Sequence, residues 1–108
     1  MTWKIALFES SRGEKPVEEF INSCNSSTKG KIISKLNLLK EFGFQLGMPH
    51  SKKLTRDLYE LRIRGKEEVR IIYVFKNAQI IFLHAFKKKT RKTPQREIEI
   101  AQKRLDKI

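Results

Sequence analysis

The sequence has few of the residues that cross-link a chain or bind metals. Its single cysteine, Cys24, cannot form an internal disulfide, which favours a reducing cytoplasm as its location. Its two histidines, His50 and His84, lie far apart and lack Cys or Asp partners at metal-binding spacing, so we expect neither a metal nor another cofactor. No apolar run approaches the roughly 18 residues of a membrane span, and the first residues lack the layout of a signal peptide.

Several types of catalytic motif are also missing. The five glycines are scattered, so the sequence contains no Gly-rich loop that could cradle a phosphate. The acidic residues lack the spacing of a calcium loop or of a paired-carboxylate site. No Ser-His-Asp arrangement is legible, although sequence alone leaves a triad open. Cys24 reads as a small helix-borne residue, because nothing near it in sequence would lower its pKa.

Basic residues are abundant, and they are unevenly distributed. Lys and Arg number 24 against 12 Asp and Glu, which gives a net charge of +12. Residues 1–50 carry only 7 of these cations against 5 acids, whereas residues 51–108 carry 17 against 7. A segment as basic as residues 51–108 attracts nucleic acid, an acidic membrane surface or an acidic protein. The basic cluster lies at a strand end and not along an amphipathic helix, which argues against a membrane partner.

The length predicts one domain spanning residues 1–108, and the apolar pattern predicts the element order β-α-α-β-β-β-α. A first strand covers residues 3–8. Pro16 opens one helix, and a second runs from about Lys29 to Phe42, with Ile32, Ile33, Leu36 and Leu39 as its buried stripe. Three strands follow, at 58–64, 69–76 and 79–87, and a closing helix spans 94–107. Residues 43–55 are expected to form an exposed connection.

This order indicates an α+β fold whose sheet is mainly antiparallel, with a helical hairpin on one face and a C-terminal helix. Alternation in the first meander strand places Leu61 and Ile63 towards the hairpin. The opposite face is expected to stay uncovered. It would carry Glu60, Arg62, Arg64, Arg70 and Ile72.

The segment His84–Pro94 is the most informative part of the chain. An apolar run, Ile80–Leu83, leads directly into five cations within the six residues 87–92. Such a cluster suits a polyanion, and RNA carries its own nucleophile in the 2′-hydroxyl. A metal-free enzyme need only remove that proton, stabilise charge on phosphorus with guanidinium groups and protonate the leaving 5′ oxygen.

Three blocks of sequence resemble the RelE/HigB superfamily of type II toxins, and more narrowly its phage-derived Gp49-like HigB branch. They are Leu58–Arg62, Arg70–Tyr73 and His84–Pro94, the last followed by Glu97, Ile98 and Ala101. The resemblance implies a RelE-like fold and an endoribonuclease that cleaves messenger RNA, typically on the ribosome, and so inhibits translation. It also implies a cognate HigA-like antitoxin with a helix-turn-helix, and operator DNA bound only through that antitoxin.

The resemblance also assigns roles to residues. Arg70 matches the arginine that grips the phosphate, and Arg62 matches the basic residue of the preceding strand. The catalytic basic residue falls on Lys88 or Lys89, with Lys89 the first choice. His84 is the candidate for proton transfer, because Glu60 stands where related enzymes often carry a lysine. Further RNA contacts are expected from Lys52, Lys53, Arg64, Lys87, Arg91 and Lys92.

Simpler interpretations remain open for several of these residues. Arg70 could be a strand residue that merely pairs with Glu60 or Glu68. His84 shares a face with Phe82 and Phe86 on strict alternation, so it could be a core histidine. For the whole chain, two other functions stay open: a ParE-like toxin that poisons gyrase, and a basic nucleic-acid-binding module without catalysis.

Overall fold

The chain folds as an α+β structure in the computed structural model, which describes residues 2–108. The predicted fold class is confirmed, and one further short strand is present. In chain order the elements are β1 (Lys4–Leu7), α1 (Pro16–Ser23), α2 (Ser26–Phe42), a 3-10 turn (Gly43–Gln45), β2 (Ser51–Lys53), β3 (Tyr59–Ile63), β4 (Val69–Lys76), β5 (Gln79–Lys87) and α3 (Gln95–Leu105).

The five strands form one sheet in the order β1-β5-β4-β3-β2. β1 runs parallel to β5, and every other pair is antiparallel. β2 lies within residues 43–55, which the sequence assigned to an exposed connection. Three residues are too few to show alternation, so only the pairing with β3 reveals this strand. None of the helices within residues 2–108 is long and apolar enough to cross a membrane.

The helical hairpin covers one face of the sheet, as predicted. Pro16 occupies the first turn of α1, where its missing N–H costs nothing. Asn25 caps α2 by accepting a hydrogen bond from the Thr28 amide at 2.8 Å, so the helix begins at Ser26 and not at Lys29. Ile32 is fully buried on the sheet, whereas Ile33 is 57% exposed and does not belong to the buried stripe.

Tyr73 lies in the core beneath the hairpin and is 1% exposed. Its hydroxyl is 2.5 Å from the hydroxyl of Ser51 on β2. Burial raises the pKa of Tyr73 to about 12, so the hydroxyl stays protonated at neutral pH. Tyr73 therefore ties the edge strand to the core and is poorly suited to proton transfer.

The second face of the sheet is covered as well, which corrects the expectation that it stays open. The apolar side of α3 packs on it through Ala101, which is fully buried, together with Ile98 and Leu105. Periodicity shows that α3 has an apolar side but not where that side docks. The buried cluster between the sheet and α3 consists of Phe8, Leu58, Ile72, Val74, Ile81, Leu83, Phe86 and Ala101.

A β-bulge in β5 changes the face on which His84 lies. Tyr73 pairs with Phe82, but the preceding residue Ile72 pairs with His84, so Leu83 is an extra residue in the ladder. Strict alternation would place His84 beside Phe82 on the hairpin face. The bulge moves it to the α3 face instead, where its ring stacks on Phe86 with centroids 5.5 Å apart. The prediction from strict alternation, that His84 shares a face with Phe82, is therefore wrong.

Candidate active site

A shallow cavity of about 240 Å³ opens between β2, β3, the segment after β5 and the start of α3. Five of its lining residues are cationic, and Glu60 is the one carboxylate among the lining residues that the structure describes. The segment after β5 supplies three of the five cations, which is why the cluster at residues 87–92 dominates the site. The lining consists of Lys52, Leu54, Glu60, Arg62, Lys88, Arg91, Lys92, Thr93 and Ile98.

Arg70 lies in the central strand β4, and its side chain is 2% exposed. Its Nη1 donates to Glu68 Oε2 at 2.8 Å, and its Nε is 3.5 Å from Glu60 Oε1. Arg70 therefore pairs with acidic residues, as the simpler interpretation holds, and both Glu60 and Glu68 take part. The guanidinium does not line the cavity, so its charge acts from below the surface.

Arg62 does line the cavity, and it stands directly opposite Arg70 in the β3–β4 register. Burial, then Arg70 and Arg64, lower the pKa of Arg62. Its Nη1 donates to the sulfur of Met48 at 3.3 Å, and its buried Nε makes no hydrogen bond within the described chain. Arg62 thus lines the cavity without a carboxylate paired to its guanidinium in the described chain, which suits it to an anion.

Lys88 is the lysine that the fold brings to the cavity. Its amide donates to the Glu68 carbonyl at 2.8 Å, and its ammonium donates to the Arg91 carbonyl at 2.7 Å. Burial and then the charge of Arg70 lower the pKa of Lys88. Lys89, the first choice from sequence, is exposed and does not line the cavity.

Glu60 is 2% exposed and joins the sheet to the start of α3. One carboxylate oxygen faces Arg70, and the other accepts a hydrogen bond from the Thr93 hydroxyl. The sequence places Glu60 on the uncovered face as a possible partner of Arg70, and it gives no sign of the contact with Thr93. Within residues 2–108, no three His, Cys, Asp or Glu side chains cluster closely enough to hold a metal ion.

The other predicted RNA contacts divide between the cavity and the rest of the surface. Arg64 is exposed and close enough to lower the pKa of Arg62. Lys53 lies over the ring of Tyr59, with 5.7 Å from its nitrogen to the ring centroid, and does not line the cavity. Lys87 forms a 2.5 Å ion pair with Glu67 and is likewise absent from the lining. Lys52, Arg91 and Lys92 belong to the lining.

His84 lies outside the cavity lining, and both of its ring nitrogens are engaged. Nδ1 is 3.2 Å from Nη1 of Arg104, which also donates to the Leu83 carbonyl at 2.8 Å. Because a guanidinium can only donate, Nδ1 accepts and Nε2 carries the proton that it shares with Glu97 at 2.7 Å. Burial is the main cause that lowers the pKa of His84. In this arrangement the neutral ring joins β5 to α3.

This arrangement predicts a pH dependence of stability. The unfolded chain binds a proton at His84 near the ordinary pKa of 6.5, whereas the folded chain binds it only at lower pH. Stability is therefore full above that pKa and falls as the pH drops through it. We expect His84→Gln, which can still accept from Arg104 and donate to Glu97, to flatten this fall. Urea unfolding between roughly pH 5 and pH 7.5 measures it, and equal slopes in both proteins would refute the assignment.

Comparison with known families agrees with this geometry. The family described as phage derived protein Gp49-like (DUF891) matches residues 19–106. That range includes every residue of the cavity lining and leaves out β1. No curated protein sequence matches the chain. The matching family is of the RelE/HigB toxin type, and such a toxin implies an antitoxin partner. The chain therefore belongs to the phage-derived Gp49-like family of RelE/HigB-type toxins.

Proposed function

We propose that the chain is the toxin of a type II toxin–antitoxin system and a metal-independent endoribonuclease that cleaves messenger RNA on the ribosome. One observation carries the proposal: a cavity lined by five cations holds a single carboxylate beside Arg62, which has no ion pair within the described chain. Phosphate backbones bind to such a lining, and cleavage of RNA needs one proton acceptor within it. The family membership supports a toxin but does not by itself specify a nuclease.

Substrate binding falls to the cations that reach the cavity. Among the cations that line the cavity, Arg62 and Lys88 are the two whose pKa values the charge of Glu60 acts on, in each case by raising them. We assign the scissile phosphate to these two residues, and the neighbouring backbone to Lys52, Arg91 and Lys92. Arg70 holds Glu60 in place from below through its guanidinium, which makes it a positioning residue here and not the group that grips phosphate.

The chemistry then uses three groups that line the same cavity. The Glu60 carboxylate accepts the proton of the 2′-hydroxyl, and the 2′ oxygen bonds to phosphorus. Arg62 stabilises the negative charge that develops on the phosphate oxygens. The bond to the 5′ oxygen breaks, and that oxygen takes a proton from the Lys88 ammonium, whose lowered pKa makes it a better acid. The products are a 2′,3′-cyclic phosphate and a 5′-hydroxyl.

The proposal also defines the partners. The antitoxin would be a HigA-like helix-turn-helix protein, and the toxin would reach operator DNA only through it. Messenger RNA and the ribosome are the targets, and both place the protein in the cytoplasm. A ParE-like action on gyrase and a purely binding role remain as outcomes of the test below.

Lys87 and Lys88 give a matched pair of variants for testing the nuclease. Lys88→Met should lower the cleavage rate by roughly 10²–10⁴-fold, because it removes the proton donor, whereas Lys87→Met should stay close to the parent protein. The measurements are growth after induction without antitoxin, and mapping of message ends in a cell-free translation reaction with and without a chelator. We expect cyclic phosphate ends that do not depend on the chelator.

Two results would contradict this assignment. Equal cleavage by the two variants would remove Lys88 from the chemistry. Intact messages together with DNA damage signalling would replace the nuclease with a gyrase poison, and strongly salt-dependent RNA binding without any cleavage would leave only the binding module.

A further inference from the structure

A second group of cations lies next to Arg62 but outside the cavity lining. Lys31 and Lys35 are one turn apart on α2, His50 immediately precedes β2, and Arg64 follows β3. The Lys35 ammonium is 2.6 Å from Nδ1 of His50. The backbone joins this group to the site, because the Arg62 amide donates to the His50 carbonyl at 2.8 Å.

The group is not neutralised by acids of the chain. Among residues 2–108, no ion pair to a carboxylate involves Lys31, Lys35 or Arg64. Burial and then the charge of Arg64 lower the pKa of Lys35, so the cations act on one another. Like charges four residues apart on a helix also repel each other. An external anion would relieve this repulsion.

The hydrogen-bond roles show what kind of anion fits. Because an ammonium can only donate, Nδ1 of His50 accepts from Lys35, and Nε2 of a neutral His50 then carries its proton. Lys35 keeps two further N–H groups, and Arg64 adds a guanidinium fork. Lys31 places its ammonium against Gly65, where a side chain would collide with it. The group therefore offers donors only, from four residues around one surface, as a phosphate requires.

We propose that Lys31, Lys35, His50 and Arg64 form a second phosphate-binding site, which holds the RNA backbone beside the scissile phosphate. This inference rests on the proposed function, because it takes the polyanion in the cavity to be RNA. Continuity favours RNA over an acidic protein segment, since Arg62 belongs to the cavity lining and also contacts this group. A strand that passes from Lys88 across Arg62 would next meet Arg64 and Lys35.

RNA strands of different length test this site. The probes are single strands whose 2′-hydroxyls are methylated, so that they bind without being cut. Lys35→Gln/Arg64→Gln should bind a strand of several nucleotides about 10-fold more weakly than the parent, and the slope of log affinity against log salt should fall by about 0.7 per lost phosphate contact. A strand short enough to fill only the cavity should bind equally well to both proteins.

The matched control is Lys29→Gln/Lys103→Gln, which removes the same charge from α2 and α3 outside the group and should bind like the parent. Equal affinity of the long strand for both double variants, or no binding of it to the parent, would overturn the second site. Weakened binding of a poly-glutamate peptide with unchanged RNA binding would overturn it too, in favour of an acidic protein. Message cleavage by the parent in cell-free translation judges the nuclease separately.

Discussion

Replacing Arg70 with alanine should lower the free energy of unfolding by about 3–5 kcal/mol, because it leaves the Glu60 charge buried without its partner. Arg70 and Glu60 are each 2% exposed, so little water surrounds the Glu60 charge once the guanidinium is removed. Such a loss is a large part of the stability of a typical domain, which is about 5–15 kcal/mol. Urea unfolding of the purified protein measures it directly.

Two further variants make this prediction sharp. Arg64→Ala removes the same charge from an exposed neighbour and should change the stability by no more than about 0.5 kcal/mol. Glu60→Gln/Arg70→Met removes both buried charges and should recover part of the loss, as a double-mutant cycle would show. A loss below about 1 kcal/mol in Arg70→Ala would mean that the pair is not buried as described.

The consequence concerns how toxicity assays are interpreted. If Arg70→Ala unfolds, its loss of toxicity reports the fold and not the chemistry, even though Arg70 matches a phosphate-binding arginine in the resemblance. The sequence shows an arginine on an alternating strand, but it does not show that the α3 side of that strand is closed. Burial of Arg70 follows from the position of β4 in the middle of the sheet and from the docking of α3.

The predictable parts of the fold are those with a strong local signal. β4 and β5 have the predicted bounds, because two long apolar runs are separated by Asn77 and Ala78, which both adopt the positive φ of a tight hairpin turn. β2 is too short to carry a period. The bulge at Leu83 has no local signal at all, because it is defined by what β4 places opposite.

The candidate site likewise contains residues that the sequence identifies and contacts that it does not. The cations at Arg62, Lys88 and Lys52 were identifiable because charge stands out in a strand or at its end. The contacts of Glu60 with Thr93, and of Lys35 with His50, join residues 33 and 15 positions apart. Their partners depend on how α3 and α2 lie against the sheet, and no pattern within either helix records that.

Charge repulsion across the β3–β4 ladder distinguishes a residue that serves function from one that serves stability. Arg62 and Arg70 are directly opposite, and like charges in opposed positions destabilise a sheet. Arg70 has two acids as partners, whereas Arg62 has no ion pair within the described chain. The fold therefore supplies no charge partner for an arginine at position 62, and a bound anion does.

Arg62→Gln should consequently lower the cleavage rate by about 10²–10³-fold, the usual effect of losing one donor to a developing charge. The same variant should be as stable as the parent or more stable by up to about 1 kcal/mol, since repulsion with Arg70 is relieved. Message cleavage in cell-free translation and urea unfolding measure the two effects. Arg56→Gln, an exposed change in the loop before β3, should alter neither.

The prediction is specific because the cleavage rate falls while the stability does not. If Arg62 were structural, its substitution would lower both the cleavage rate and the stability of the protein. If Arg62 were dispensable, the substitution would lower neither. Added phosphate should also stabilise the parent more than the Arg62→Gln variant, because the variant lacks one of the two residues assigned to the scissile phosphate. Full activity in a stable Arg62→Gln protein would show that the cavity beside Glu60 is not where RNA is cut.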